Sequence, residues 1–93
     1  MRPKNHPQSL QRLRQRIDQL DTRILDLLSK RAALAIRVGL LKQREGRRLF
    51  DPQREAAILR RMTSANRGPL SAQALQAIYR EILRQIQRLE RSA

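Results

Sequence analysis

Between Leu13 and Leu41 the large aliphatic residues fall at Leu13, Ile17, Leu20, Ile24 and Leu27, then at Leu34, Val38 and Leu41. The steps alternate four and three, the spacing of a packed helical seam. This pattern predicts one long helix from about Ser9 to about Arg44, interrupted only by Gly39, which a helix interior tolerates at about 1 kcal/mol. Glu45-Gly46-Arg47-Arg48 reads as a loop. Asp51-Pro52 then starts a second helix, with Asp51 as N-cap and proline at the first helical position, where its missing N–H does no harm. That helix runs to about Ser64 with Ile58, Leu59 and Met62 inward, and Asn66-Arg67-Gly68-Pro69 is a turn. Ser71 caps a third helix whose apolar stripe is Leu75, Ile78, Tyr79, Ile82, Ile86 and Leu89. The fold class is all-α, with three helices per chain and the first much the longest.

Length decides how such helices bury their stripes. A helix of about 36 residues is about 54 Å long at 1.5 Å per residue. Two shorter helices from the same chain do not cover it, and a chain of 93 residues buries only a limited share of its surface. A second copy of the chain is the economical cover, so a homodimer is expected. Residues 1–8 hold two prolines and no apolar periodicity, which reads as a flexible basic tail; residues 9–93 read as one domain.

One position breaks the seam. Continued past Leu27, the four-three pattern arrives at Arg31. A guanidinium stays charged at ordinary pH, so withdrawing it from water requires an anionic or hydrogen-bonding partner. Asp18, Asp21 and Asp26 lie upstream, and none stands three or four residues before Arg31. Two readings are open: an arginine at the seam edge that snorkels to water or pairs with a glutamate of another helix, or a cation placed for an anionic ligand. Lys42 lies eleven residues on, which in a helix means a rotation of about 20° and a rise of about 16 Å. Two long cations facing one gap leave room for a small anion. Arg14 also borders the seam, about 25 Å from Arg31 and rotated about 100° away. From the same helix it cannot reach that ligand; if it contributes, it must come from a second protomer.

Charge and composition narrow the partners. Lysine and arginine number 21 against 8 aspartates and glutamates, a net charge of +13, which favours anionic partners. Phe50 and Tyr79 are the only aromatics, which speaks against the stacking platforms of single-strand binders. Cysteine is absent, so there is neither a disulfide nor a thiolate metal site, in keeping with a reducing compartment. The first residues lack the apolar core of a signal peptide, and no stretch reaches membrane-span length, so a cytoplasmic protein without membrane contact is expected. His6, the only histidine, lies in the tail and is no candidate catalyst.

With these residues in view, a resemblance emerges. Leu13-Arg-Gln-Arg-Ile-Asp-Gln-Leu-Asp21, Leu27-Leu-Ser-Lys-Arg31-Ala and Val38-Gly-Leu-Leu-Lys42 resemble the first helix of the AroQ-class, all-helical chorismate mutases. Phe50-Asp51-Pro52-Gln53-Arg54-Glu55 is similar to the start of their second helix. Gly68-Pro-Leu-Ser71 through Ile78-Tyr-Arg-Glu-Ile82 is similar to their third-helix region, above all in mutase domains found beside prephenate dehydratases. The likeness covers roughly residues 9–91, and the order and spacing of the motifs carry it. It implies an intertwined homodimer converting chorismate to prephenate by an intramolecular Claisen rearrangement, in aromatic amino acid biosynthesis, with no cofactor and no metal.

The resemblance also implies roles. Arg14, donated across the dimer, and Arg31 would bind the two substrate carboxylates, while Lys42 would bind a carboxylate and the ether oxygen of the breaking bond. Asp51, Arg54 and Glu55 match the group that positions the substrate hydroxyl, with Glu55 the hydroxyl contact and Asp51 acting partly or wholly as a helix cap. Two positions depart from the family pattern: Ile86 stands where some members have serine, completing an apolar wall, and Glu90 stands where the second ether-oxygen donor is often glutamine. An ionised carboxylate accepts hydrogen bonds and donates none. Either Glu90 carries a proton in the site or it does not make that contact. Lys42, Glu90 and Arg31 are thus the expected catalytic residues. The reaction needs no nucleophile; it needs the reactive conformer held and donors placed where negative charge grows.

Three rivals remain. An isochorismate-pyruvate lyase would use nearly the same cations on the same scaffold, but Asp51-Pro-Gln-Arg-Glu55 fits the mutase pattern better. A basic nucleic-acid-binding protein would gain affinity from counterion release, but it needs its cations outward, whereas Arg31 falls inward; Arg60, Arg61, Arg80, Arg84, Arg88 and Arg91 read as a solvated face. No specific nucleic-acid partner is expected. A purely structural coiled coil leaves Arg31 unexplained.

Overall fold

The computed structural model describes residues 7–92, the side chains from Ser9 onward. It contains three helices, α1 (Pro7–Arg44), α2 (Pro52–Ala65) and α3 (Ala72–Ser92), with no strand among the described residues. The second and third begin within a residue of expectation. Pro7 and Gln8, read from the sequence as tail, instead open α1, because a proline ring pre-sets the helical φ and its missing N–H costs nothing in the first turn. The remainder of the expected tail, residues 1–6, lies outside the described residues.

Each junction is built from local chemistry. At the end of α1, Gly46 adopts φ 71°, its N–H donates to the carbonyl of Gln43 (3.1 Å), and the Arg47 N–H donates to that of Lys42 (2.7 Å). This is the paired-bond helix stop that places a glycine in the left-handed region. Asp51 caps α2, its carboxylate accepting from the Arg54 N–H at 3.0 Å, and Pro52 fills the first turn. In the turn, Asn66 donates to the Leu70 carbonyl (2.8 Å) and accepts from the Gly68 N–H (3.1 Å). Ser71 caps α3 by accepting from the Ala74 N–H at 3.0 Å.

The chain divides into two units, one up to Arg31 and one from Ala32 onward. The second holds the core: Ala35 of α1, Ile58 of α2, and Leu83 and Ile86 of α3 are buried. α2 packs on α3, and Gln76 donates to the Thr63 hydroxyl between them at 3.3 Å. The inward face of α3 differs from the expected stripe. Leu83 is core, while Ile78 and Leu89 stay exposed, so the face turned to α1 and α2 runs through Leu75, Tyr79, Ile82, Leu83 and Ile86. Two adjacent apolar residues, Ile82 and Leu83, leave the stripe ambiguous by one helical step, and packing settles it.

Within this unit α1 has two apolar faces. Ala35 and Gly39 are buried, and Ala32 and Ile36 are half-buried, whereas Leu34, Val38 and Leu41 on the neighbouring face remain open. In the unit up to Arg31 the helix is exposed nearly all round, with Leu13, Ile17, Leu20, Ile24 and Leu27 between 51% and 61% accessible. Local ties on its surface include the Lys30–Asp26 pair one turn apart (3.0 Å) and the Thr22 hydroxyl donating to the Asp18 carbonyl (3.1 Å). No helix among the described residues is long and apolar enough to cross a membrane.

Candidate functional site

Charged side chains normally stay in water, and most of this chain's do. Among the described residues the withdrawn ones are Arg31, Lys42, Glu55 and Glu90, each half-buried; every other described arginine, lysine, aspartate and glutamate is exposed. No charged side chain among them is completely buried. Partial burial of a charge carries a desolvation cost that hydrogen bonds or a counter-charge must offset. All four belong to the set expected from the sequence.

Lys42 is the best-defined of the four. It sits in the last turn of α1, where the loop folds back over it: its ammonium donates to the Leu49 carbonyl at 2.9 Å, and its own carbonyl accepts from the Arg47 N–H. An ammonium has three N–H donors. One is committed to the loop, which fixes the direction of the side chain and leaves two for an anionic guest.

Asp51, Arg54 and Glu55 follow at the start of α2. Asp51 is exposed, with one carboxylate oxygen engaged as the cap; the cap reading of Asp51 is therefore correct. Arg54 is exposed, and Glu55 is half-buried. On α3, Ile86 is 7% accessible and belongs to the core of this unit. Glu90, one turn later, is half-buried, and its backbone lies against α1 at Gly39. Lys42, Asp51, Arg54, Glu55, Ile86 and Glu90 thus fall in the unit from Ala32 onward, and Arg14 and Arg31 in the other. Arg14 is exposed.

Two contacts made by these residues escaped the sequence reading. The Leu49 carbonyl is a backbone group and has no signature in the sequence. Gly39 was visible only as a tolerated weakness, although a glycine in mid-helix is itself a signal of close backbone approach. Among the described residues no three His, Cys, Asp or Glu side chains gather as metal ligands.

The comparisons with known proteins decide the family. The chorismate mutase type II family model matches residues 13–91. The chain belongs to this family. A bifunctional chorismate mutase/prephenate dehydratase of Stutzerimonas stutzeri is 40% identical over 79 residues, 80% of this chain and 22% of that protein. Its counterpart in Neisseria gonorrhoeae is 37% identical over 78 residues, 84% of this chain and 21% of the relative. The chain therefore spans about a fifth of the length of these curated relatives. Among solved structures, a chorismate mutase of Thermus thermophilus superposes with a TM-score of 0.88 at 32% identity, covering 89% of this chain and 94% of that one. A chorismate mutase of Helicobacter pylori in complex with prephenate superposes with a TM-score of 0.84 at 30% identity, covering 91% and 92%. The all-helical fold expected from the heptad pattern is the fold of these neighbours.

Proposed function

We propose that this chain is a chorismate mutase, converting chorismate to prephenate as a homodimer. The observation that carries the reading is the coincidence of two independent selections. Solvent exclusion picks Arg31, Lys42, Glu55 and Glu90 out of all described charges, and all four fall within the seven charged residues to which family resemblance assigns roles at the substrate, the exposed Arg14, Asp51 and Arg54 being the others. A chain that merely coated itself with charge would withdraw none of them.

The rearrangement breaks an ether C–O bond while a C–C bond forms within the same molecule, so neither a nucleophile nor a redox partner takes part. Arg31 and Arg14 of the partner subunit clamp the two carboxylates and hold the reactive diaxial conformer, which converts a rare arrangement into the bound one. Lys42, aimed by the Leu49 carbonyl, offers its remaining N–H donors to a carboxylate and to the ether oxygen, where negative charge grows. Glu55 takes the substrate hydroxyl, with Arg54 and Asp51 ordering the start of α2 around it. Ile86 backs the site with an apolar wall. Glu90, half-buried one turn beyond Ile86, stands at the position of the second group facing the ether oxygen.

The homodimer is supported by the open aliphatic face of α1. Leaving Leu13, Ile17, Leu20, Ile24, Leu27, Leu34, Val38 and Leu41 in water forgoes on the order of 10 kcal/mol of burial, comparable with the whole stability of a small domain. A second copy carries the same face, and a two-fold interface is self-complementary. The cytoplasm is the compartment this reading assigns, and a chain without cysteine suits it.

The direct test is loss of chorismate absorbance on adding the purified chain, with prephenate identified as product; isochorismate offered in parallel, with release of pyruvate, is the outcome that would assign a lyase instead. In the same assay Lys42→Ala is expected to lose about 10²–10³ in kcat with unchanged helix content. Near-normal turnover in that variant removes Lys42 from the mechanism.

A further inference from the structure

Gly39 occupies a buried position in α1 where that helix meets α3. A β-carbon at this position would stand 2.9 Å from the carbonyl oxygen of Glu90, 3.2 Å from its Cα and 3.3 Å from its Cβ. The two nearest atoms are helix backbone, which cannot swing aside as the tip of a flexible side chain can. Any residue larger than glycine therefore displaces α3 at Glu90 rather than being absorbed locally. Lys42 lies three residues beyond Gly39, on the same side of α1 and about 4.5 Å along its axis. The bare glycine thus seats the Glu90 backbone against the very turn that carries Lys42. The other end of Lys42 is tied independently, through the Leu49 carbonyl.

We propose that Gly39 is a positioning residue for the rearrangement: by admitting the Glu90 backbone onto α1 beside Lys42, it sets the separation of the two groups that flank the ether oxygen. The inference rests on the assignment of Lys42 and Glu90 to that oxygen. Gly39 touches no substrate; it acts through the spacing of residues that do. Misplacement by about 1 Å at such a site costs about a hundredfold in rate.

The test compares Gly39→Ala, Glu90→Ala and the double variant in the full chain, measuring kcat and KM for chorismate, prephenate binding by calorimetry, and helix content by circular dichroism. Gly39→Ala is expected to lower kcat about 10- to 100-fold while KM and prephenate affinity stay within about threefold, because the carboxylate clamp at Arg31 is untouched. In the Glu90→Ala background the same substitution should cost less than about threefold, since the group being positioned is gone. Three results overturn the inference. One is a Gly39→Ala kcat within about threefold of the parent. Another is an equal loss in both backgrounds, the signature of a general disturbance of helix packing. The last is loss of helix content, which would assign the glycine to the fold instead of the site. Lys42→Ala separates the two levels: an active Lys42→Ala enzyme sinks the underlying assignment, whereas an inactive one beside a fully active Gly39→Ala sinks only the role of the glycine.

Discussion

From Leu13 to Leu27, α1 presents a large aliphatic side chain at every third or fourth residue, and each is more than half exposed. From Ala32 onward the same helix turns small residues, Ala35 and Gly39, into a core completed by Ile58, Leu83 and Ile86. Both stretches carry the large aliphatic row, which stays open at Leu34, Val38 and Leu41 as well, and the second adds a neighbouring face of small residues. Small residues let helices of the same chain approach until backbone meets backbone, as at Gly39 and Glu90. Large aliphatics left open keep their surface for a partner that brings its own. The second stretch thus has a face closed within the chain while the first is left open, an asymmetry that the proposed homodimer accounts for; of the charged residues withdrawn from water, Arg31 ends the first unit and Lys42, Glu55 and Glu90 lie in the second.

The sharpest way to break this contrast is a charge in the open seam. Ile24→Glu should convert the dimer to monomer in sedimentation equilibrium and abolish turnover, because Arg14 then reaches no partner site; the expected loss exceeds about 10³-fold in dimer affinity, as a carboxylate buried without a partner costs several kcal/mol. A dimer of unchanged affinity would show that the seam is not the interface. Next in size is the closed region. Ile58, 3% accessible, should cost about 2–5 kcal/mol as Ile58→Ala through the cavity it leaves, read as a lowered urea midpoint, and that loss should persist in the Ile24→Glu background. Removing the cap with Asp51→Ala should cost about 0.5–2 kcal/mol, with a smaller loss of affinity for substrate than Lys42→Ala shows in rate.

The smallest effect concerns the solvated face of α3. Glu81 has its pKa lowered from the usual 4.5, first by the hydrogen bond that Gln85 donates to its carboxylate (2.7 Å) and then by Arg84 and Arg88. A carboxyl whose folded pKa is depressed contributes stability that is present above its unfolded pKa and lost as pH falls through the folded one. Thermal midpoints of the parent and Glu81→Gln should therefore differ slightly at neutral pH and converge as pH drops below 4.5. A difference that persists under acid would show that the carboxylate charge is not its source. High salt should shrink it too, since exposed pairs are screened.

Much of this protein was legible in its sequence because the relevant physics is local. Helix caps at Asp51 and Ser71, the loop at Glu45–Arg48 and the four-three repeat each act within one or two turns, so residue identity alone fixes them. Arg31 declared itself by falling where a hydrocarbon belonged. The tertiary structure decided what periodicity leaves degenerate. It chose Leu83 over Ile78 and Leu89 for the core of α3, because only packing against α2 and α1 distinguishes neighbouring helical positions. It tied Lys42 to the carbonyl of Leu49, a group every residue carries and no sequence pattern marks. It also revealed that Gly39, weak as a helix former, is where two backbones meet. Sequence specifies what each turn prefers, and only the closed packing of several turns determines which of those preferences face one another.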